Sequence, residues 1–204
     1  MSLLLAAACV GGGVLVARWM TRALSKDAAP RTDVRKPSDA PSPAPKRDPL
    51  VPFPFQLGDV VVRGGRDEAW LSGALVFSED APTLALFVAP EAGGDRAILA
   101  RARPSRSVVW LEALPAGALT LGREPPGALE HEGTRYERIR RLPLAVARVG
   151  SGAPDVGDTA LVAEYGSEAG DRIVAVVGAS ATFTWRGVEL SDGMYEVLGS
   201  SPPD

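Results

Sequence analysis

From residue 55 onward the chain alternates short apolar runs with Gly, Pro, Asp and Ser. Runs rich in Val, Leu, Ile and aromatics predict strands over 59–63, 70–78, 83–89, 96–102 and 108–113. A second series is predicted over 135–140, 144–149, 160–165, 172–177, 182–190 and 194–198. Leu84-Ala85-Leu86-Phe87-Val88-Ala89 is apolar on both faces and predicts a central strand, whereas the charged alternation over 135–140 predicts an edge or a solvated face. Gly64-Gly65, Ala92-Gly93-Gly94-Asp95 and Ser191-Asp192-Gly193 supply turns. No helical period is sustained, so the predicted domain is all-β with antiparallel strands.

The pattern also repeats. Thr83, Asp95 and Trp110 have counterparts at Thr159, Asp171 and Trp185, each 75 or 76 positions later. In both copies a Gly-Asp-Arg turn joins two strands and a Trp follows one strand on. This predicts two similar β units over 55–122 and 128–200, either small barrels or the halves of a sandwich.

The first twenty residues differ in kind. Positions 2–17 carry no charge, and with Arg18 snorkelling the apolar surface reaches Met20, long enough for a membrane anchor. Its apolar surface is Leu3, Leu4, Leu5, Val10, Val14, Leu15 and Val16, with Cys9 as a small apolar member. The basic flank Arg18, Arg22 and Lys26 follows the run, and no basic side chain precedes it. That order is the reverse of a signal peptide's and places the C-terminal side in the cytoplasm of a single-pass bacterial inner-membrane protein. An exported periplasmic domain is the competing topology.

Residues 21–54 read as a disordered linker. Eight of the 18 prolines fall between Pro30 and Pro54, among residues too polar to build a core. In extended polyproline geometry the spacer reaches up to about 75 Å. From Arg18 to Asp48 there are eight basic and four acidic side chains, a net of +4, which suits an anionic leaflet.

Four stretches of the domain resemble the bacterial family catalogued as domain of unknown function 4178. They are Leu57-Gly58-Asp59-Val60-Val61, Trp70-Leu71-Ser72-Gly73-Ala74-Leu75, Glu132-Gly133-Thr134-Arg135-Tyr136 and Glu164-Tyr165. The resemblance spans about 55–198 and implies an all-β, non-catalytic module associated with membrane-stress and polyamine-related genes. The chain departs from the family at Leu84-Ala85-Leu86-Phe87, where a Trp or Tyr with an acidic partner is expected. No catalytic residue follows from it.

Composition narrows the chemistry. One Cys and one His in 204 residues exclude a disulfide framework, a Cys-rich zinc site and a multi-His metal centre. The net charge of −3 becomes −7 once the N-terminal segments are removed, which argues against nucleic acid as a partner. His131 sits between Glu130 and Glu132, yet adjacent loop residues rarely converge on one ion, so it reads as structural. Asp155, Asp158 and Glu164 lack the spacing of a calcium loop, and Ser105 and Ser107 lack a nucleophile-elbow pattern. Neither a catalytic group nor a cofactor is expected. The densest local charge is Arg135, Arg138, Arg140, Arg141 and Arg148. These arginines form a candidate binding surface for a headgroup, a phosphate or an acidic partner, with Glu130, Glu132 and Glu137 offsetting much of the charge. Trp70, Trp110 and Trp185 are expected in the core. The expected function is a membrane-tethered binding or scaffolding module with a protein partner. A small-ligand receptor or enzyme using the junction of the two β units is the alternative.

Overall fold

A computed structural model describes residues 48–91 and 94–199. The expected anchor over 1–20 and all but the end of the expected linker lie outside these residues. Among the described residues no helix is long and apolar enough to cross a membrane. The linker's expected end at 54 moves toward the N-terminus. Leu50 and Phe53 are buried, Asp48 accepts the Leu50 N–H at 2.9 Å, and the Phe53 ring meets Phe87 edge-on at 6.4 Å.

Twelve strands follow: β1 (Val60–Arg63), β2 (Asp67–Trp70), β3 (Gly73–Ser78), β4 (Pro82–Glu91), β5 (Gly94–Arg101), β6 (Val108–Ala113), β7 (Ala128–His131), β8 (Thr134–Gly150), β9 (Thr159–Gly166), β10 (Asp171–Gly178), β11 (Thr182–Leu190) and β12 (Tyr195–Leu198). All pairings are antiparallel. The order β3-β4-β5-β6-β11-β10-β9-β8 closes through β3–β8 into an eight-stranded barrel. β7 extends one end of β8, and β12-β1-β2 form a separate three-stranded sheet. The two expected β units are therefore two four-stranded meanders sharing one barrel, not two barrels side by side.

Closure rests on β8. Its 17 residues pair with β7 over Thr134–Glu137, with β9 over Glu137–Ala145 and with β3 over Ala145–Gly150. Two strands expected over 135–140 and 144–149 are thus one. Pro143 is tolerated because β8 has a strand on only one side there. The reverse happens at 70–78, where Leu71-Ser72 break one expected strand into β2 and β3. β7 was not expected from its sequence, Ala-Leu-Glu-His. It forms because Glu132 and Gly133 both take positive φ, 48° and 75°, the geometry of a tight two-residue hairpin. Where the meanders meet, backbones approach closely. Gly73 faces Gly150 across β3–β8, and a Cβ on Gly187 of β11 would strike the Trp110 carbonyl oxygen of β6.

Three apolar groupings fill the fold. The lumen holds Phe77, Leu86, Leu99, Leu111, Val162 and Val174 among others. Outside β3–β6, Val61 of the small sheet and the flanking Phe55 and Leu71 pack with Phe87, Ile98 and Trp110. Leu119, Leu121 and Leu129 cover Tyr136, Tyr165 and Ile173 on the outside of β8–β10. The segment 84–89 is central, as its sequence predicts, with β3 on one side and β5 on the other.

The meander topology repeats, but the residue equivalences do not hold. Trp110 pairs with Ile98 on the outer face, whereas Trp185 pairs with Val174 in the lumen. Arg96 lies outside near the Trp110 ring, and Arg172 points into the lumen on the face of Val174. A one-residue difference in hairpin register exchanges the two faces of a strand. The Asp95/Asp171, Arg96/Arg172 and Trp110/Trp185 counterparts therefore stand on opposite sides of the sheet, whereas Thr83 and Thr159 share the outer face.

All three tyrosines are held above the ordinary phenol range, chiefly by burial. A raised folded-state pKa leaves stability intact below the unfolded value of about 10, and stability falls as pH rises through the folded values. Phenolate absorbance and circular dichroism followed together through an alkaline titration should change in one step. Tyrosine ionisation well before loss of the β signal would contradict this packing.

Candidate binding sites at the two ends of the barrel

Strand alternation gives the lumen a distinct chemistry at each end. At the end where β5 and β11 begin, lumen positions carry Val88, Ala113, Phe183 and Trp185. The connection after β6 and the loop before β9 wall the opening with Leu114, Leu119, Leu121 and Pro154. They enclose a recess of about 370 Å³. Phe183 and Trp185 stack along its side, centroids 6.1 Å apart and planes 28° apart. Asp95 and Thr182 add polar groups to its lining. A mostly apolar hollow of this size with a few polar groups is the usual form of a small-ligand pocket, about 300–1,000 Å³. It spans the junction between β6 of one meander and β11 of the other.

The opposite end is charged. Arg101, Arg140, Glu164, Arg172 and Glu189 come from β5, β8, β9, β10 and β11, all on lumen positions. Glu164 is 1% exposed. Arg101 donates to it at 3.0 Å, and the Arg140 Nε lies 3.2 Å from its other oxygen. Glu189 accepts from Arg172 at 2.8 Å and lies 4.0 Å from Arg101. The guanidinium groups remain partly open to water, so the cluster is a mouth and not a sealed core.

The arginines singled out in the sequence do not form one surface. A bulge between Arg138 and Arg140 reverses the alternation of β8. Arg138 stays outside and donates to the Pro125 carbonyl at 2.6 Å, while Arg140 turns inward to Glu164. Arg135 pairs with Glu137 at 3.2 Å, and Arg141 lies 3.6 Å from Glu124. Arg148 is exposed further along β8, opposite Leu75.

The remaining sequence candidates have local roles. The His131 side chain on β7 is 11% exposed, and its Nε2 is buried without a hydrogen-bond partner among the described residues, 4.0 Å from Glu132. Glu132 itself pairs with Arg186 and ties the hairpin to β11. Asp155 accepts from the Gly157 N–H at 3.1 Å in a turn, Asp158 is exposed, and Glu164 lies in the lumen. Ser105 and Ser107 meet each other at 3.4 Å. Among the described residues no three His, Cys, Asp or Glu gather as they would around a metal ion. Trp110 and Trp185 are core residues, but Trp70 is 68% exposed, because β2 lies at a sheet edge and turns alternate residues to solvent. Trp110 packs beneath Arg63, whose guanidinium lies 5.0 Å from the ring centroid.

Arg101, Arg172, Glu189 and Phe183 were missed in the sequence. Ala97-Ile98-Leu99-Ala100-Arg101 contains a signal for the first, since alternation puts its guanidinium on the Leu99 face. The others depend on hairpin register.

The described fold and its two ends define an eight-stranded antiparallel barrel with an apolar recess at one end and a cationic cluster at the other. Comparisons with protein-family models, curated proteins and solved structures find no match.

Replacing Glu164 with Ala would leave Arg101 and Arg140 without their shared counter-charge inside the barrel. The expected loss is about 3 kcal/mol, the low end of the buried-pair range because both guanidiniums reach water. Urea unfolding checks this; a loss below about 0.5 kcal/mol, the scale of a surface pair, would contradict the assigned role.

Proposed function

We propose that this chain is a membrane-tethered, non-catalytic binding module whose barrel recess receives an apolar group of a small ligand. The observation that carries the reading is the recess itself, lined by the stacked Phe183–Trp185 pair and open at the junction of the two meanders. Aromatic walls give a bound apolar group area and shape, and Asp95 and Thr182 offer the few polar contacts that orient it. The apolar run before Arg18 and the basic flank after it support an uncleaved inner-membrane anchor with the barrel on the cytoplasmic side. On this reading the proline-rich spacer sets how far the barrel stands from the membrane. An envelope-stress context is the setting expected from the short stretches that resemble domain of unknown function 4178, although no family model matches the chain.

A neutral, environment-sensitive apolar dye tests the recess. The full chain in neutral detergent should bind it saturably, and Ala113→Trp, which fills the opening from an exposed position, should weaken binding at least tenfold while the thermal midpoint stays put. Equal binding by both proteins would overturn the reading. For the tether, a reporter active only in the periplasm and fused to the C-terminus should be silent; an active fusion would assign the barrel to the exported side.

A further inference from the structure

The geometry points to a second site, independent of the recess and at the opposite end of the lumen, that binds the phosphate or carboxylate group of a small anionic ligand. The first argument is charge. Three guanidiniums, Arg101, Arg140 and Arg172, converge on two carboxylates, Glu164 and Glu189, leaving one positive charge in excess within the barrel mouth. An excess charge in a partly desolvated hollow attracts a counter-ion more strongly than the same charge on an open face.

The second argument is donor capacity. Glu164 and Glu189 each face two of the arginines: Glu164 Oε2 accepts from Arg101 and Glu189 Oε2 from Arg172, while Glu164 Oε1 is buried 3.2 Å from the Arg140 Nε without a hydrogen bond. The Arg101 Nε is buried with no hydrogen-bond partner among the described residues. Arg140 meets Glu164 through Nε, and its two Nη groups have no partner among the described residues. Planar forks with spare N–H groups suit an oxyanion, which can accept from two at once.

The third argument is access. Arg172 lies across from Gly166 of β9, whose missing side chain leaves the room its guanidinium takes up, whereas the Trp110 backbone closes the side of Gly187 of β11. A Cβ on Gly166 would come within 2.9 Å of the Arg172 Nη1 and of the Ile139 side chain. Ile139 is half exposed at the β8 bulge, so the guanidinium lies beside an opening to solvent. The bulge that brings Arg140 inward also sets Ile139 at this rim. Bulges recur where a strand must re-aim a side chain at a functional position.

Titrating the full chain in neutral detergent with inorganic phosphate, at ionic strength held constant with chloride, tests the site. Saturable binding with a rise in thermal midpoint is expected. Arg172→Gln should weaken phosphate binding at least tenfold, and Gly166→Ala, which leaves the charges in place, at least threefold. Arg148→Gln, an exposed arginine outside the mouth, should leave it unchanged, and so should Ala113→Trp in the recess. Failure of the recess reading would thus leave this test intact. Phosphatidylglycerol vesicles that displace phosphate would identify a lipid headgroup as its source, and vesicles that do not would identify a free small molecule. No binding above the chloride control overturns the proposal, as does a loss caused equally by Arg148→Gln and Arg172→Gln.

Discussion

Closure of the sheet on itself is the constraint from which the rest of the architecture follows. A four-stranded meander leaves two open edges, and two such meanders can cover one another's edges only if both seams form. β6 meets β11 at one seam and β3 meets the end of β8 at the other. β8 must therefore run through three partners in turn, which explains its length, its bulge and the absence of a break at Pro143. Glycines mark both seams, Gly73 and Gly150 at one and Gly187 at the other, where side chains would hold the backbones apart.

Once closed, the barrel separates its chemistry by strand direction. Every lumen position near the start of β5 or β11 belongs to the recess end, and every one near their finish belongs to the charged end. Between them Leu99, Leu111 and Val174 form an apolar partition. Water-exposed arginines at one end therefore do not reach the aromatic pair at the other. Register parity decides which residues enter this space. Trp185 and Arg172 occupy the lumen, while Trp110 and Arg96, their counterparts along the sequence, lie beneath the small sheet.

The sequence was most legible where burial is two-sided. Leu84–Ala89 reads as a central strand in any register, because both faces are apolar. It was least legible where one residue changes a face. The 75- and 76-residue offsets correctly suggested two meanders, yet equating Trp110 with Trp185 required hairpins of identical register, and no composition signal reports a one-residue slip. The arginines of β8 show the same effect: Arg138 and Arg140 share parity in the sequence, and only the bulge between them sends one out and the other in. β7 escaped notice because its pairing comes from the Glu132-Gly133 turn and not from its own β propensity. The folded region also begins earlier than proline content suggests, since Leu50 and Phe53 are sparse but deeply buried.

Native-state amide hydrogen exchange across the β3–β8 seam tests the closed barrel most directly. Amides pairing Val76 with Ala147 and Leu75 with Arg148 should exchange only through global unfolding, with the denaturant dependence shown by the central β4–β5 pair. Seam amides that exchange through a local opening, while β4–β5 stays protected, would mean that the meanders do not close and that neither end of the lumen exists as described.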